Sequence, residues 1–462
     1  MEHASRFAQA ARVPFWHDAT APSVACAPLR ADTSCDLAII GGGFTGLWTA
    51  LKARARWPRA RIALLEAAQC GNAASGRNGG FCAPSISHGV ANAVARWPDE
   101  AKTLVRLGRQ NLEALAQDLE RMGIDAEFER NGKLNVAATP WQAEGLRGMQ
   151  KTYARFGISC DYLEGGALRE RFNSPVYRAG LFEPNYALVN PAKLIEGLRQ
   201  ACIDRGVSLY ENTAVTTLKQ APDGLRLTTP QGLVLAKQVV MATNAARPLL
   251  RRFRLSILPI FDYSLVTEPL TDGQLAAIGW LGRYGIADSG NQFHYFRKTA
   301  DNRILWGGYD AIYHYGNARV PALLDRHASF EQLAINFAAA FPAMNDVTFS
   351  HAWGGIIDTS ARTTFFAGTA CRGQLAYALG FTGQGVSASR FAALAMLDML
   401  EGVTTERTAL RMLRSPALPF PPEPIRALVV KWAQHDLARE DRTGHRSLML
   451  RGLDRLGIGF AS

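Results

Sequence analysis

The sequence of 462 residues is poor in cysteine, in acidic residues and in long apolar runs, and each shortage excludes something. Its seven cysteines (Cys26, Cys35, Cys70, Cys82, Cys160, Cys202 and Cys371) are scattered, and no two form a CxxC pair. That pattern argues against a disulfide framework or a zinc site, and reduced thiols in a cytoplasmic protein are expected. No apolar run approaches the ~20 residues that span a bilayer. Residues 1–22 lack the unbroken apolar stretch of a secretory leader. A soluble, cytoplasmic chain with no membrane partner is the expectation.

Acidic residues number 40 against 51 basic ones, leaving a net charge of +11. The excess comes without a lysine-rich tail, zinc-finger spacing or an aromatic RNA-binding signature, so no nucleic-acid partner is expected. One local cluster, Arg247, Arg251, Arg252 and Arg254, suggests a field that draws in an anionic small molecule. There is no internal repeat, no low-complexity block and no triad or metal-ligand constellation. What remains is an ordinary globular composition, 48% apolar and 20% charged, long enough for two domains.

The segment CDLAII (35–40) reads as a buried strand, followed by glycines and a helically spaced stretch; ARIALLE (60–66) reads as a second strand. Between them Gly41, Gly43 and Gly46 keep the GxGxxG spacing. The first glycine permits a tight turn, the second a close approach to a pyrophosphate, and the third close packing of helix on strand. Phosphates would meet the free N–H groups of the helix N-terminus. Twenty residues beyond Gly46, at the end of the second strand, Glu66 is placed to accept hydrogen bonds from a ribose diol.

A nicotinamide-binding unit would continue with alternating strands and helices. This chain continues with GNAASGRNGG (71–80), almost without apolar side chains. Small residues suit a loop that must pass close over a flavin ring. Ser75, Arg77 and Asn78 would bond the ring edge or the pyrophosphate. Further on, residues 190–206 read as a helix capped by Asn190 and stopped by Gly206, and a Pro-rich break (415–424) precedes a basic helical tail.

The segments GGGFTGLWTA, LLEA, ASGRNGGF, VVMATNA, ILWGGYD and ALGFTGQGV follow in this order across nearly the whole chain. With them the sequence resembles the FAD-dependent amine and amino-acid oxidases, among them D-amino-acid, sarcosine and glycine oxidases, and most of all the γ-glutamylputrescine oxidase branch. GFTGLWTA and GRNGGF are also similar to aminophosphonate oxidoreductases. The resemblance implies an α/β (mixed α+β) fold. A Rossmann-like FAD-binding domain would be assembled from residues 1–100, 190–254 and 351–414. A substrate domain with a mixed or antiparallel sheet would come from 101–189 and 255–350, with 415–462 as the tail.

It also assigns cofactor positions. These are Phe44 and Thr45 in the first turn, Ala67 beside Glu66, and Gly76, Gly79 and Gly80 in the loop. Val215 falls near the adenine, and Ala242, Thr243 and Asn244 form a phosphate-side turn. Gly380, Thr382, Gly383, Gln384, Gly385 and Val386 form a last glycine motif at the flavin's pyrimidine end. Several relatives carry a histidine where Gln384 stands, and sarcosine oxidases carry a lysine where Ser387 stands. SHAWGGIID holds no cysteine, so FAD is expected to be non-covalent.

The implied chemistry is oxidation of a small amine's C–N bond by hydride transfer to the flavin, with hydrolysis of the imine and return of electrons to O2. No strong catalytic base is required. Substrate-contacting candidates are His294, Tyr295 and Arg297 in HYFRKT, Tyr309 and Tyr313 in WGGYDAIYHYG, and Trp353 in HAWGG. Arg297 would pair with an anionic group. The favoured substrate is an N-alkylated aminoalkylphosphonate such as N-methyl-2-aminoethylphosphonate, with γ-glutamylputrescine or an N-methyl amino acid as the alternative. A non-catalytic flavoprotein or a subunit of a larger dehydrogenase is the competing class; a disulfide reductase is excluded by the missing cysteine pair.

Overall fold

A computed structural model describes residues 2–20, 24–455 and 457–459. Two large sheets organise it. The first runs in the order Phe366–Ala370, Leu375–Leu379, Leu233–Met241, Thr33–Ile40, Ile62–Leu65 and Ser208–Tyr210. Its inner pairings are parallel, and Thr33–Ile40 lies between Leu233–Met241 and Ile62–Leu65. A parallel sheet is covered on both faces, which is why its strands read as continuous apolar runs. One face carries the helices Phe44–Arg56, Pro191–Asp204 and Gly385–Glu401. An antiparallel hairpin, Thr217–Ala221 and Gly224–Thr228, extends from Leu233–Met241, and its Leu225 and Leu227 help build the core on the opposite face.

The second sheet runs Ile312–Tyr313, Leu258–Thr267, Ile304–Gly308, His294–Lys298, Gly285–Asp288, Lys133–Ala137, Ala179–Glu183 and Asp161–Glu164, with Phe349–Thr359 also paired to Leu258–Thr267. Its pairings are antiparallel except that between Gly285–Asp288 and Lys133–Ala137. The helix His327–Ala340 packs behind it on an aromatic core of Phe296, Trp306, Phe330, Phe337 and Phe341. This is the expected mixed α/β architecture.

The expected segment boundaries shift in three places. Phe7 and Ala10 belong to the core of the second sheet, and Ala11 bridges to His351, so the N-terminal residues do not join the first sheet. The helix Ala101–Met122 buries Leu104, Leu112, Leu115 and Leu119 against the first sheet's helices, because its apolar stripe meets that core. The boundary at 350 cuts into Phe349–Thr359, which pairs in the second sheet on both sides of a bulge at Ser350. The tail is no appendage either. Its helix Ile425–Thr443 lies on the second sheet's loops: Asp441 accepts from the Asn291 and Gln292 backbone N–H groups at 2.7 and 2.8 Å, and Gln434 donates to the Ala311 carbonyl.

Candidate active site

The first turn is packed too tightly for side chains. A Cβ on Gly46 would lie 1.8 Å from the Gly41 carbonyl oxygen, and one on Gly41, at φ +110°, would lie 2.4 Å from that of Ala242. Gly43 precedes the helix Phe44–Arg56, whose first N–H, on Phe44, reaches the Ser75 hydroxyl oxygen at 3.0 Å. Glu66 ends its strand with one carboxylate oxygen 2.6 Å from the Gly42 N–H and the other 2.9 Å from that of Ala68. Burial raises its pKa, and those backbone donors oppose the rise. Beside it Glu211, unsuspected from sequence, is fully enclosed. It accepts from the Cys26 and Cys70 N–H groups at 2.6 and 2.7 Å and faces Arg199, tying three segments behind the turn.

The glycine-rich stretch is firmly held. Ala74–Arg77 is a helical turn closed by the Asn78 amide, which donates to the Ala74 and Ser75 carbonyls at 3.0 and 2.7 Å and accepts from Gly80 N–H at 2.8 Å. Trp16 and Trp353 donate indole N–H groups to the carbonyls of Asn78 and Arg77. Arg77 turns its guanidinium onto the Asn72 and Gly354 carbonyls at 2.8 and 3.0 Å. Gly76 is also sterically required, since a Cβ there would meet the Gly71 carbonyl and the His17 ring, both at 2.3 Å.

A cavity of about 360 Å³ opens between this stretch, the second sheet and the helix Ile425–Thr443. Phe44, Thr45, Ser75, Arg77, Asn78 and Gly79 line one side, with Asn244 and Thr382–Val386 at one end. Tyr295, Tyr309 and Trp353 also line the cavity, so three of the six expected substrate contacts are there. The last glycine motif is positioned by Asp358, which accepts from the Gly380 N–H at 2.7 Å. Burial pushes the pKa of Asp358 up to about 7. The helix Gly385–Glu401 starts at the cavity without a side-chain cap, leaving its first N–H groups free. Ser387 turns away, donating to the Ala83 carbonyl at 2.6 Å.

Among the remaining assigned positions, Ala242 packs against Gly41, Ala67 is exposed and Val215 is part-buried on the first sheet. The Thr243 hydroxyl is buried without a partner, as a position awaiting a ligand would be. The glycine cradle, this orphan hydroxyl and the uncapped helix all fit a bound dinucleotide.

Three expected substrate contacts lie elsewhere. Arg297 shares a strand face with Tyr295 but sits further along it, fully buried. It donates to the Val189 carbonyl at 2.6 Å and lies 5.3 Å from the Trp16 ring, packed under Gly80. It braces the loop from behind. His294 points the other way, between Trp306 and Tyr309 at 4.3 and 5.2 Å, and burial lowers its pKa to about 3. Tyr313 donates to the Glu423 carboxylate and accepts from the Asn317 backbone N–H at 3.1 Å, outside the cavity. The arginines at 247, 251, 252 and 254 are exposed, away from the cavity.

Three lining acids were not singled out from sequence: Asp358 under the last glycine motif, Asp310 and Asp262. Asp310 is occupied, accepting from Ser329 and Arg326 at 2.7 and 3.2 Å. Asp262 accepts from the Tyr295 hydroxyl at 2.6 Å, and that hydroxyl lies 3.1 Å from the Ser264 hydroxyl. Burial pushes Asp262 up to about 6. A lone acid in the apolar strand LPIFDYSLVT (258–267) was its only sequence signal. Among the described residues no group of three or more acids, histidines and cysteines could hold a metal, and no helix is long and apolar enough to cross a membrane.

A dinucleotide turn that leads into a shared cavity with an aromatic, acid-bearing wall defines a flavin-dependent oxidoreductase of the amine and amino-acid oxidase type. The chain belongs to the FAD dependent oxidoreductase family, whose model matches residues 36–399, and FAD is its cofactor. It is similar to the gamma-glutamylputrescine oxidoreductase of Escherichia coli K12, with 28% identity over 402 residues, 85% of this chain and 89% of that one. In fold it matches glycine oxidase from Geobacillus kaustophilus (TM-score 0.68, 23% identity, 81% of this chain and 96% of that one). It also matches L-proline dehydrogenase from P. horikoshii (TM-score 0.67, 17% identity, 82% and 96%).

Proposed function

We propose that the protein oxidises the C–N bond of an amine that Asp262 receives as its ammonium ion. The observation that carries this is a carboxyl group in the cavity, held by Tyr295 and unpaired with any cation among the described residues. When bound, FAD supplies the two-electron acceptor. Gly41, Gly43, Glu66 and Asn244 would hold its dinucleotide part, and Thr382–Val386 would face its ring end. With a pKa near 6, Asp262 is ionised at neutral pH and attracts an ammonium group. Its free acceptor positions can then take the ammonium proton, leaving the neutral amine that oxidation requires. The Tyr295 hydroxyl fixes the carboxylate's orientation, and the rings of Phe81, Tyr295 and Trp353 exclude water.

The substrate reading moves with the geometry. The phosphonate expectation rested on arginines and on the likeness of GFTGLWTA and GRNGGF to aminophosphonate oxidoreductases, and of these Arg297 and the exposed-cluster arginines do not line the cavity. The similarity to gamma-glutamylputrescine oxidoreductase and the unpaired acid favour an amine of the γ-glutamylated diamine class. O2 as acceptor and a cytoplasmic site of action complete the reading. Peroxide release by the purified protein is the test, with γ-glutamylputrescine, N-methyl-2-aminoethylphosphonate, N-methyl amino acids and 2-hydroxy acids as substrates. Oxidation of the hydroxy acids in preference to every amine would refute it.

A further inference from the structure

Lys133 opens the strand Lys133–Ala137 in the second sheet and lines the same cavity as Asp262. Among the described residues no acceptor lies within hydrogen-bond or ion-pair distance of its ammonium group, which sits over the Tyr186 ring, 5.5 Å from centroid to nitrogen. Its cross-strand neighbour is Glu183, a buried acid that accepts from the Tyr153 hydroxyl and does not come within ion-pair distance. The other basic side chains that line the cavity are Arg77 and His88. Arg77 bonds two backbone carbonyls, and burial holds His88 near 4.

An aromatic wall joins Lys133 to Asp262. Tyr186 meets Phe81 edge-on at 6.4 Å, Phe81 meets Tyr295 edge-on at 5.9 Å, and Tyr295 bonds Asp262. The cavity therefore carries an ammonium group without a hydrogen-bonded acceptor and, three rings away, a carboxyl group without a cation; its other acids are held in place, Asp310 by Arg326 and Ser329 and Asp358 by the backbone of the last glycine motif. A buried charge without a partner is costly, so such a pair is best satisfied by a ligand of complementary ends.

We infer that Lys133 anchors an acidic group, carboxylate or phosphonate, at the far end of the amine substrate, several bonds from the oxidised carbon. This rests on the amine-oxidation reading, with the amine at Asp262. The anchor selects among amines, because losing a charge-assisted contact penalises only the substrate that makes it.

The experiment compares wild-type holoenzyme with Lys133→Met, which keeps the apolar stem, and Lys133→Arg, which keeps the charge. One readout is kcat/KM for γ-glutamylputrescine against putrescine, and for N-methyl-2-aminoethylphosphonate against N-methylethylamine. The other is the rise in Tm on adding glutarate or methylphosphonate, which needs no turnover. Lys133→Met should lower kcat/KM for the acid-bearing amine at least about tenfold more than for its acid-free partner, chiefly through KM. It should also abolish the Tm rise, and Lys133→Arg should recover both. The pair that responds distinguishes carboxylate from phosphonate. An equal loss for both members of each pair, or an acid-induced Tm rise that is absent in wild type or unchanged in Lys133→Met, overturns the inference. If wild type oxidises none of the amines, the amine reading falls while the Tm arm still decides Lys133.

Discussion

Replacing Asp262 by Asn removes the carboxylate while keeping the volume and one acceptor for the Tyr295 hydroxyl. A hydrogen bond to a charged group is worth ~1.5–3 kcal/mol, so kcat/KM for the amine should fall roughly 10- to 100-fold. The pH dependence makes the test specific. Asp262 is ionised only above about 6, so wild-type kcat/KM should rise with pH through that value, and the variant should lose this limb. Stability gives a second signature. The folded protein binds this proton more tightly than the unfolded chain, because burial raises the pKa from 3.8 to about 6. The group's contribution is therefore most favourable below pH 3.8 and is lost as pH rises to about 6, a change of about 3 kcal/mol. Asp262→Asn should thus gain Tm relative to wild type across pH 4 to 6 and hold a constant lead above it. An ascending limb near pH 6 that survives in the variant, or a kcat/KM within about twofold of wild type, would refute the role.

Glu66→Ala should weaken FAD retention by ~1.5–3 kcal/mol, read as flavin absorbance remaining after dialysis; full occupancy with an unchanged Tm counts against a ribose contact. Acid precipitation should release all the yellow colour, since among the described residues no cysteine lines the cavity; a coloured pellet would contradict non-covalent binding. Arg297→Met should cost ~1–3 kcal/mol of stability by leaving the Val189 carbonyl unpaired. It should lower Tm and flavin occupancy without discriminating between acid-bearing and acid-free amines, and a selective loss for the acid-bearing ones would restore Arg297 as an anion site.

Local signals were legible in the sequence because their physics is local. The GxGxxG turn, the strands around it and the terminal Glu66 lie within one βαβ unit, and the spacing alone dictates the packing of Gly46 on Gly41. The glycines of 71–80 were legible as a close approach, yet part of what approaches is protein: His17 under Gly76 and Arg297 under Gly80. Alternation put Tyr295 and Arg297 on one strand face, but nothing in a strand's period says how far along that face a cavity extends. Asp262 becomes a site only when the strand His294–Lys298 brings Tyr295 to it, and that pairing is non-local. The helix Ala101–Met122 showed its apolar stripe clearly, whereas the partner it meets, the helix Gly385–Glu401 with Ser387 and Arg390 bonded to Asn111 and Asp118, lies far away in sequence.

The helix Ile425–Thr443 follows both sheets in chain order and contributes Val430, Gln434 and Leu437 to the cavity. On a ribosome, where the earlier parts of a chain emerge and fold first, the dinucleotide turns are complete while that side of the cavity is still open. A molecule as long as FAD then has a stage at which it can enter broadside, before the Asp441 and Gln434 anchors shut the wall. With the anchors in place, escape past that side of the cavity needs the Asp441 and Gln434 contacts to break, which adds an opening step to loss of the bound group. Apoprotein stripped of flavin after folding should reload slowly, and it should reload faster when Asp441 can no longer hold Asn291 and Gln292.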